Sequence, residues 1–208
     1  YLNGIHSLKK SLNEAGVDFT DITDVVLTHL HFDHCGGSVK WNTMKDNYEL
    51  TFPNATYWVH ESHWKHAINP NPREKASFLK ENMIPIQELG HLKFIPDNLQ
   101  ITDNISGILA HGHTESMFCP KISIGNQTLI FMADMIPSIG HIKPNYVMGY
   151  DIRPLETMKE RESFLKKAAS DEYILFFEHD LSIECGTVGL GERGYKLYES
   201  GNLNDFVK

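Results

Sequence analysis

Thr28-His29-Leu30-His31-Phe32-Asp33-His34-Cys35-Gly36-Gly37 is the stretch on which the reading of this chain turns. Three imidazoles and one carboxylate fall within six residues. The preceding run, Asp24-Val25-Val26-Leu27-Thr28, is apolar and β-branched and predicts a buried strand. A strand alternates its side chains, so His29, His31 and Asp33 are expected on one face. His34 follows directly and cannot share that face. The chain is expected to turn there, with Gly36-Gly37 supplying the unusual backbone angles. Four metal-ligand side chains would then leave one strand end into one small volume. Packed together without a cation, they would leave polar atoms seeking partners, so the stretch reads as a metal-binding motif.

Further along, apolar runs again end in ligand-type residues. Residues 105–110 lead to His111 and His113, residues 129–133 to Asp134, and residues 173–177 to His179. Strand ends along one sheet edge are where a rigid metal site is assembled.

His29-Leu30-His31-Phe32-Asp33-His34 resembles the HxHxDH signature of the metallo-β-lactamase-fold hydrolases, and its flanks over residues 26–37 resemble that superfamily too. Phe52-Pro53-Asn54-Ala55-Thr56-Tyr57, Glu61-Ser62-His63-Trp64 and residues 70–73 resemble the branch containing methyl parathion hydrolase and the quorum-quenching lactonase-like hydrolases. The resemblance runs from about residue 25 to about residue 186. It implies an α/β fold, an αββα sandwich of the metallo-β-lactamase type lacking its first N-terminal strands. It also implies a ligand set. His29, His31 and His113 would hold a first metal, and Asp33, His34 and His179 a second, with Asp134 bridging. Gly112-His113-Thr114 is similar to the family's Gly-His-Thr, which selects His113 over His111.

The function implied is that of a dinuclear hydrolase, in which a metal-bridging hydroxide cleaves a small ester-like substrate: a phosphotriester, lactone or carboxylic ester. Asp33 would pass a proton to the leaving group. Five imidazoles and two carboxylates without a thiolate suit two Zn2+ ions, with iron, manganese or cobalt as alternatives. No G-x-S-x-G elbow offers a side-chain nucleophile. Two departures bear on the substrate. Pro137 stands where the acyl-homoserine lactonases carry a Tyr, and Glu115-Ser116 stands where the family commonly reads Pro-Gly. The other readings are a thioester hydrolase resembling hydroxyacylglutathione hydrolase and a metal-binding domain without catalysis.

A chain of 208 residues with 41% hydrophobic residues suits a single domain over 1–208. A net charge of -8 argues against a nucleic-acid partner. Cys35, Cys119 and Cys185 form no CxxC pair and no disulfide framework, which favours a reducing, cytoplasmic compartment, although Tyr1 leaves a lost export signal open. Cys35 reads as a small buried residue. No run is long enough to span a membrane. The expected partner is a small-molecule substrate, with a homodimer left open.

Ile5, Leu8, Leu12 and Ala15 predict a helix with a core-facing stripe, stopped by Gly16. Residues 41–51 read as irregular surface, 55–60 as a strand, 61–68 as a helix and 73–82 as a second helix, which the resemblance implies would contribute to a lid over the pocket. Short strands follow over 92–95, 99–101 and 105–110, then a hairpin over 121–132 turning at Gly125-Asn126. Residues 154–169 predict a helix with Leu155, Met158, Phe164 and Leu165 on one side. Residues 173–177 form a buried strand, and 183–188 and 195–198 close the sheet. His60, His63 and His66 read as solvated or pocket-lining. Phe118, Tyr146 and Tyr150 fit either a substrate site or core packing.

Overall fold

The computed structural model describes residues 7–207. The elements in chain order are α1 (Leu8–Glu14), β1 (Asp24–Val26), α2 (Phe32–Cys35), β2 (Val39–Trp41), β3 (Tyr48–Leu50), β4 (Thr56–Val59), α3 (Glu61–Ile68), α4 (Lys80–Glu88) and β5 (Leu92–Phe94). They continue with β6 (Gln100–Thr102), β7 (Ile105–Ala110), β8 (Met117–Ile124), β9 (Gln127–Phe131), α5 (Pro154–Ser170), β10 (Ile174–Phe176), β11 (Cys185–Gly191), β12 (Gly194–Gly201) and α6 (Leu203–Phe206). They divide into two compact units. One comprises the chain up to Val59 together with Ala67–Phe94, the other His60–His66 together with the chain from Ile95 onward.

The first unit holds a parallel sheet of order β1-β4-β5, in register Val25↔Tyr57 and Tyr57↔Leu92. Its middle strand buries Tyr57, Trp58 and Val59, as an apolar aromatic run should. Trp58 Nε1 donates to Asp24 Oδ1 at 2.7 Å, tying β4 to β1. Residues 41–51 are not irregular. β2 and β3 pair as a small antiparallel ribbon, with the Trp41 and Tyr48 rings stacked at 4.2 Å. The helix expected over 73–82 begins later, at Lys80, because Asn71 Oδ1 accepts from the Arg73 and Glu74 N–H groups and turns the chain first. In α1, Ser7 caps the start and Gly16 follows the end at φ +73°, as expected. No residue of α1 is buried, however, so its apolar stripe is not core. Ile5 lies outside the described residues.

The second unit is built on a seven-stranded sheet of order β12-β11-β10-β9-β8-β7-β6. β7, β8 and β9 pair antiparallel in sequence, and β9 and β10 pair parallel. β7, β9 and β10 therefore run the same way and end at the same sheet edge. The core includes Met117, Ile130, Met132, Phe164, Leu165 and Leu175. α5 opens with Pro154, whose missing N–H costs nothing there. The face α5 buries is Thr157, Arg161, Phe164, Leu165 and Ala168. Leu155, expected inside, is exposed. Helices combined with parallel and antiparallel sheets make the chain α/β, as expected. Among the described residues, no helix is long and apolar enough to cross a membrane.

Gly107 on β7 faces the ring of Phe118 on β8, and an added Cβ would run into that fully buried ring. Gly107→Ala is expected to cost about 1–3 kcal/mol of unfolding free energy by overpacking. Urea denaturation checks this.

Candidate metal centre

In the first unit, β1 stops at Val26, and the donors come after it. Leu27 N–H still donates to Trp58 O at 3.0 Å, but the ladder ends there. The His34 and Cys35 N–H groups then bond His31 O at 3.0 and 3.1 Å and wind residues 32–35 into α2. His29 and His31 precede this helical turn, while Asp33 and His34 lie within it. Strand alternation thus does not set their direction, contrary to the sequence expectation. Gly36 takes φ -61° and Gly37 is not in the left-handed region either, so the turn needs no glycine freedom. Nothing in the structure explains Gly37.

The result still brings the imidazoles together. The His29 ring lies 3.9 Å from that of His34 and 4.7 Å from that of His31, centroid to centroid. Asp33, half-exposed, has Oδ2 3.5 Å from His34 Nε2. His31 Nε2 stands 3.6 Å from Oε1 of the buried Glu74, whose other oxygen accepts from Asn71 Nδ2 at 2.5 Å. Burial pushes the Cys35 thiol up to about 12, and Sγ donates to Leu30 O at 3.3 Å, so this cysteine is packing, not a nucleophile.

In the second unit, the shared edge of β7, β9 and β10 delivers His113, Asp134 and His179. Gly112 is required by close approach: a Cβ there would strike the Thr157 backbone N at the start of α5. His113 is buried between two carboxylates. Nε2 lies 3.1 Å from Asp134 Oδ2, and Nδ1 lies 3.1 Å from Asp151 Oδ1. The other Asp134 oxygen lies 3.3 Å from His179 Nε2. His179 donates its N–H to Pro137 O at 3.1 Å. Ligand atoms of Asp134, Glu178 and His179 lie within 4.8 Å of one another.

His111 points elsewhere, with Nδ1 3.2 Å from Glu115 Oε1. The His111 and Gly112 N–H groups both donate to the Glu160 carboxylate, at 2.7 and 3.0 Å, which anchors the loop to α5. His63 is fully buried with Nδ1 2.6 Å from Glu115 O, so it is neither solvated nor pocket-lining. Phe118 is core, while Tyr146 and Tyr150 are exposed.

Burial alone would lower the His113 pKa, but Asp134 and Asp151 outweigh it and raise it to about 9. A carboxylate only accepts hydrogen bonds. The close pair of His113 Nε2 and Asp134 Oδ2 therefore needs a proton or a cation between them. Imidazole and carboxylate donors fit a borderline or hard divalent ion. Sequence reasoning missed Glu74, Asp151, Glu160, Arg161 and Glu178. Only Arg161 left a signal, as a charged residue in line with Thr157, Phe164, Leu165 and Ala168 on the buried face of α5.

Because the folded pKa of His113 lies above the ordinary value, its contribution to metal-free stability is complete below about pH 6.5 and disappears as pH rises through about 9. His60 and His141, which burial lowers, act below pH 6.5 instead. Between pH 7 and 9 the denaturation midpoint of chelator-treated protein is expected to fall, and His113→Gln to flatten that slope.

Residues 4–179 match the Metallo-beta-lactamase superfamily. No curated protein matches the chain. Among solved structures, a probable metal-dependent hydrolase from Staphylococcus aureus superposes with TM-score 0.82 at 22% identity, over 95% of this chain and 68% of that one. AidC, a dizinc quorum-quenching lactonase solved with the product N-hexanoyl-L-homoserine, gives 0.76 at 27% identity, over 95% and 70%. AbOPH, a hydrolase in the beta lactamase superfamily, gives 0.75 at 21%, over 92% and 68%. With the family match covering most of the sequence, the chain belongs to the metallo-β-lactamase superfamily and is one of its metal-dependent hydrolases.

Proposed function

We propose that His29, His31 and His113 hold one divalent metal ion, that Asp33, His34 and His179 hold a second, and that Asp134 bridges them. In this reading the two units act as one catalytic domain on a small ester-like molecule, a lactone, phosphotriester or carboxylic ester. The observation that carries the reading is the stance of Asp134, which turns one oxygen to His113 and the other to His179. One carboxylate spanning two imidazoles is the arrangement that a bridging ligand requires, and its charge offsets repulsion between two cations.

When bound, the ions supply a Lewis acid and a water acidic enough to lose a proton near neutral pH. The chain's own residues do the rest. His113 is held from both ring nitrogens, so its orientation is fixed before substrate arrives. Asp33 is half-exposed at the start of α2, where it can take a proton and pass it to a departing alkoxide. The lactone class is supported by the likeness to AidC, a dizinc quorum-quenching lactonase. Zinc is therefore the metal proposed first.

Purified protein loaded with zinc is expected to contain two ions per chain and to hydrolyse one of three probes: an acyl-homoserine lactone, an aryl phosphotriester or an aryl ester. A chelator should abolish turnover and added zinc should restore it. Asp134→Asn is expected to lower kcat/KM by about 10²-fold or more. Full activity in demetallated protein would falsify the reading.

A further inference from the structure

Asp151 sits in the segment before α5 and is fully shielded from solvent. Its Oδ1 faces His113 Nδ1 at 3.1 Å, and its Oδ2 accepts from Met148 N–H at 3.2 Å. The backbone doubles the link. Ile152 N–H donates to His113 O at 3.2 Å, and Arg153 N–H to Gly112 O at 2.8 Å. Behind Asp151 stands Arg161, also fully buried, with Nη2 4.0 Å from Asp151 Oδ2. Arg161 Nε donates to Met135 O at 2.5 Å, and Nη1 to Tyr146 O at 2.6 Å. A single side chain on α5 therefore grips the turn that carries Asp134 and the loop that leads to Asp151.

We infer that Asp151 is a positioning residue for His113, held in place by Arg161, and that together they set how tightly the centre binds its metal. The inference rests on the metal-centre reading above. Its chemistry is the following. A carboxylate facing Nδ1 requires a hydrogen on that nitrogen, which leaves Nε2 as the lone-pair nitrogen of the neutral ring. Nε2 is the atom turned toward Asp134. The Asp151 carboxylate thus selects the tautomer that can ligate and makes the ring a better donor. Arg161 offsets the charge this places in the interior, and its two carbonyl contacts keep the Asp134 turn at a fixed distance from Asp151. A bland alternative is that Asp151 serves only to neutralise a buried guanidinium.

Zinc affinity separates the two, measured by competition with a chromogenic chelator alongside the melting temperature of the metal-free protein. Asp151→Ala is expected to weaken zinc binding about 10–100-fold. Asp151→Asn keeps an acceptor for the Nδ1 hydrogen and should recover most of that loss. Because Asp151→Ala exposes Arg161 to an uncompensated burial, the double variant Asp151→Ala/Arg161→Met removes both charges. It should fold yet still bind zinc weakly. In the zinc-loaded protein, the exchange-protected His113 Nδ1–H resonance should persist in Asp151→Asn and vanish in Asp151→Ala. Wild-type affinity in the folded double variant, or a resonance that persists in Asp151→Ala, would overturn the inference while leaving the metal centre standing. Absence of zinc binding in the wild type would instead overturn the metal-centre reading itself.

Discussion

A carboxylate can accept a hydrogen bond but never give one, and His113 has a carboxylate against each ring nitrogen. Much of the second unit follows from keeping that arrangement. Gly112 lets the loop pass against the first turn of α5, where a side chain would collide with Thr157. Glu160, one turn further along α5, takes the two N–H groups of residues 111 and 112. Arg161 takes the carbonyls of Met135 and Tyr146. Two successive turns of one helix thus fix the backbone around a single imidazole. Burying charge is costly unless each group is paired and hydrogen-bonded, so this region has little freedom to vary.

The departures from the family pattern acquire physical meaning in the same place. Where relatives commonly carry Pro-Gly, this chain has Glu115-Ser116. Ser116 adopts φ +53°, a conformation glycine would take without strain. The Glu115 carboxylate meets Arg153 Nη2 at 2.7 Å and accepts from Ser116 Oγ at 3.1 Å. A hydrogen-bonded ion pair does locally what ring closure in proline does elsewhere: it narrows the loop's conformations. Pro137 similarly contributes its carbonyl, which receives the His179 N–H.

What could be read from the sequence depended on whether the signal was local. The motif from His29 to His34, the hairpin at Gly125-Asn126, the helix α3 and the apolar strand β10 all carry their cause within a few residues, and each is where it was expected. The ends of β7, β9 and β10 were readable for the same reason. The backbone carrying Asp33 was misread, because a helical turn wound by His31 O stands where the strand was expected to continue. The ribbon β2–β3 was missed, since its Trp41–Tyr48 stack lies across a polar turn. The inner face of α5 was misjudged because a charged residue occupies it. Glu74 and Asp151 gave no sign at all: each is an ordinary acidic residue until tertiary packing puts it beside an imidazole.

The second unit takes His60–His66 from between two stretches of the first. A chain emerging from the ribosome therefore finishes neither unit in a single pass. The first awaits Phe94, while Trp64, nearly devoid of solvent contact in the native state, has no settled place until the residues around Glu115 exist to receive His63. Such long sequence separations slow the search for native pairings and leave sticky surface uncovered meanwhile. Synthesis speed and chaperone supply thus become part of what determines the yield of active molecules.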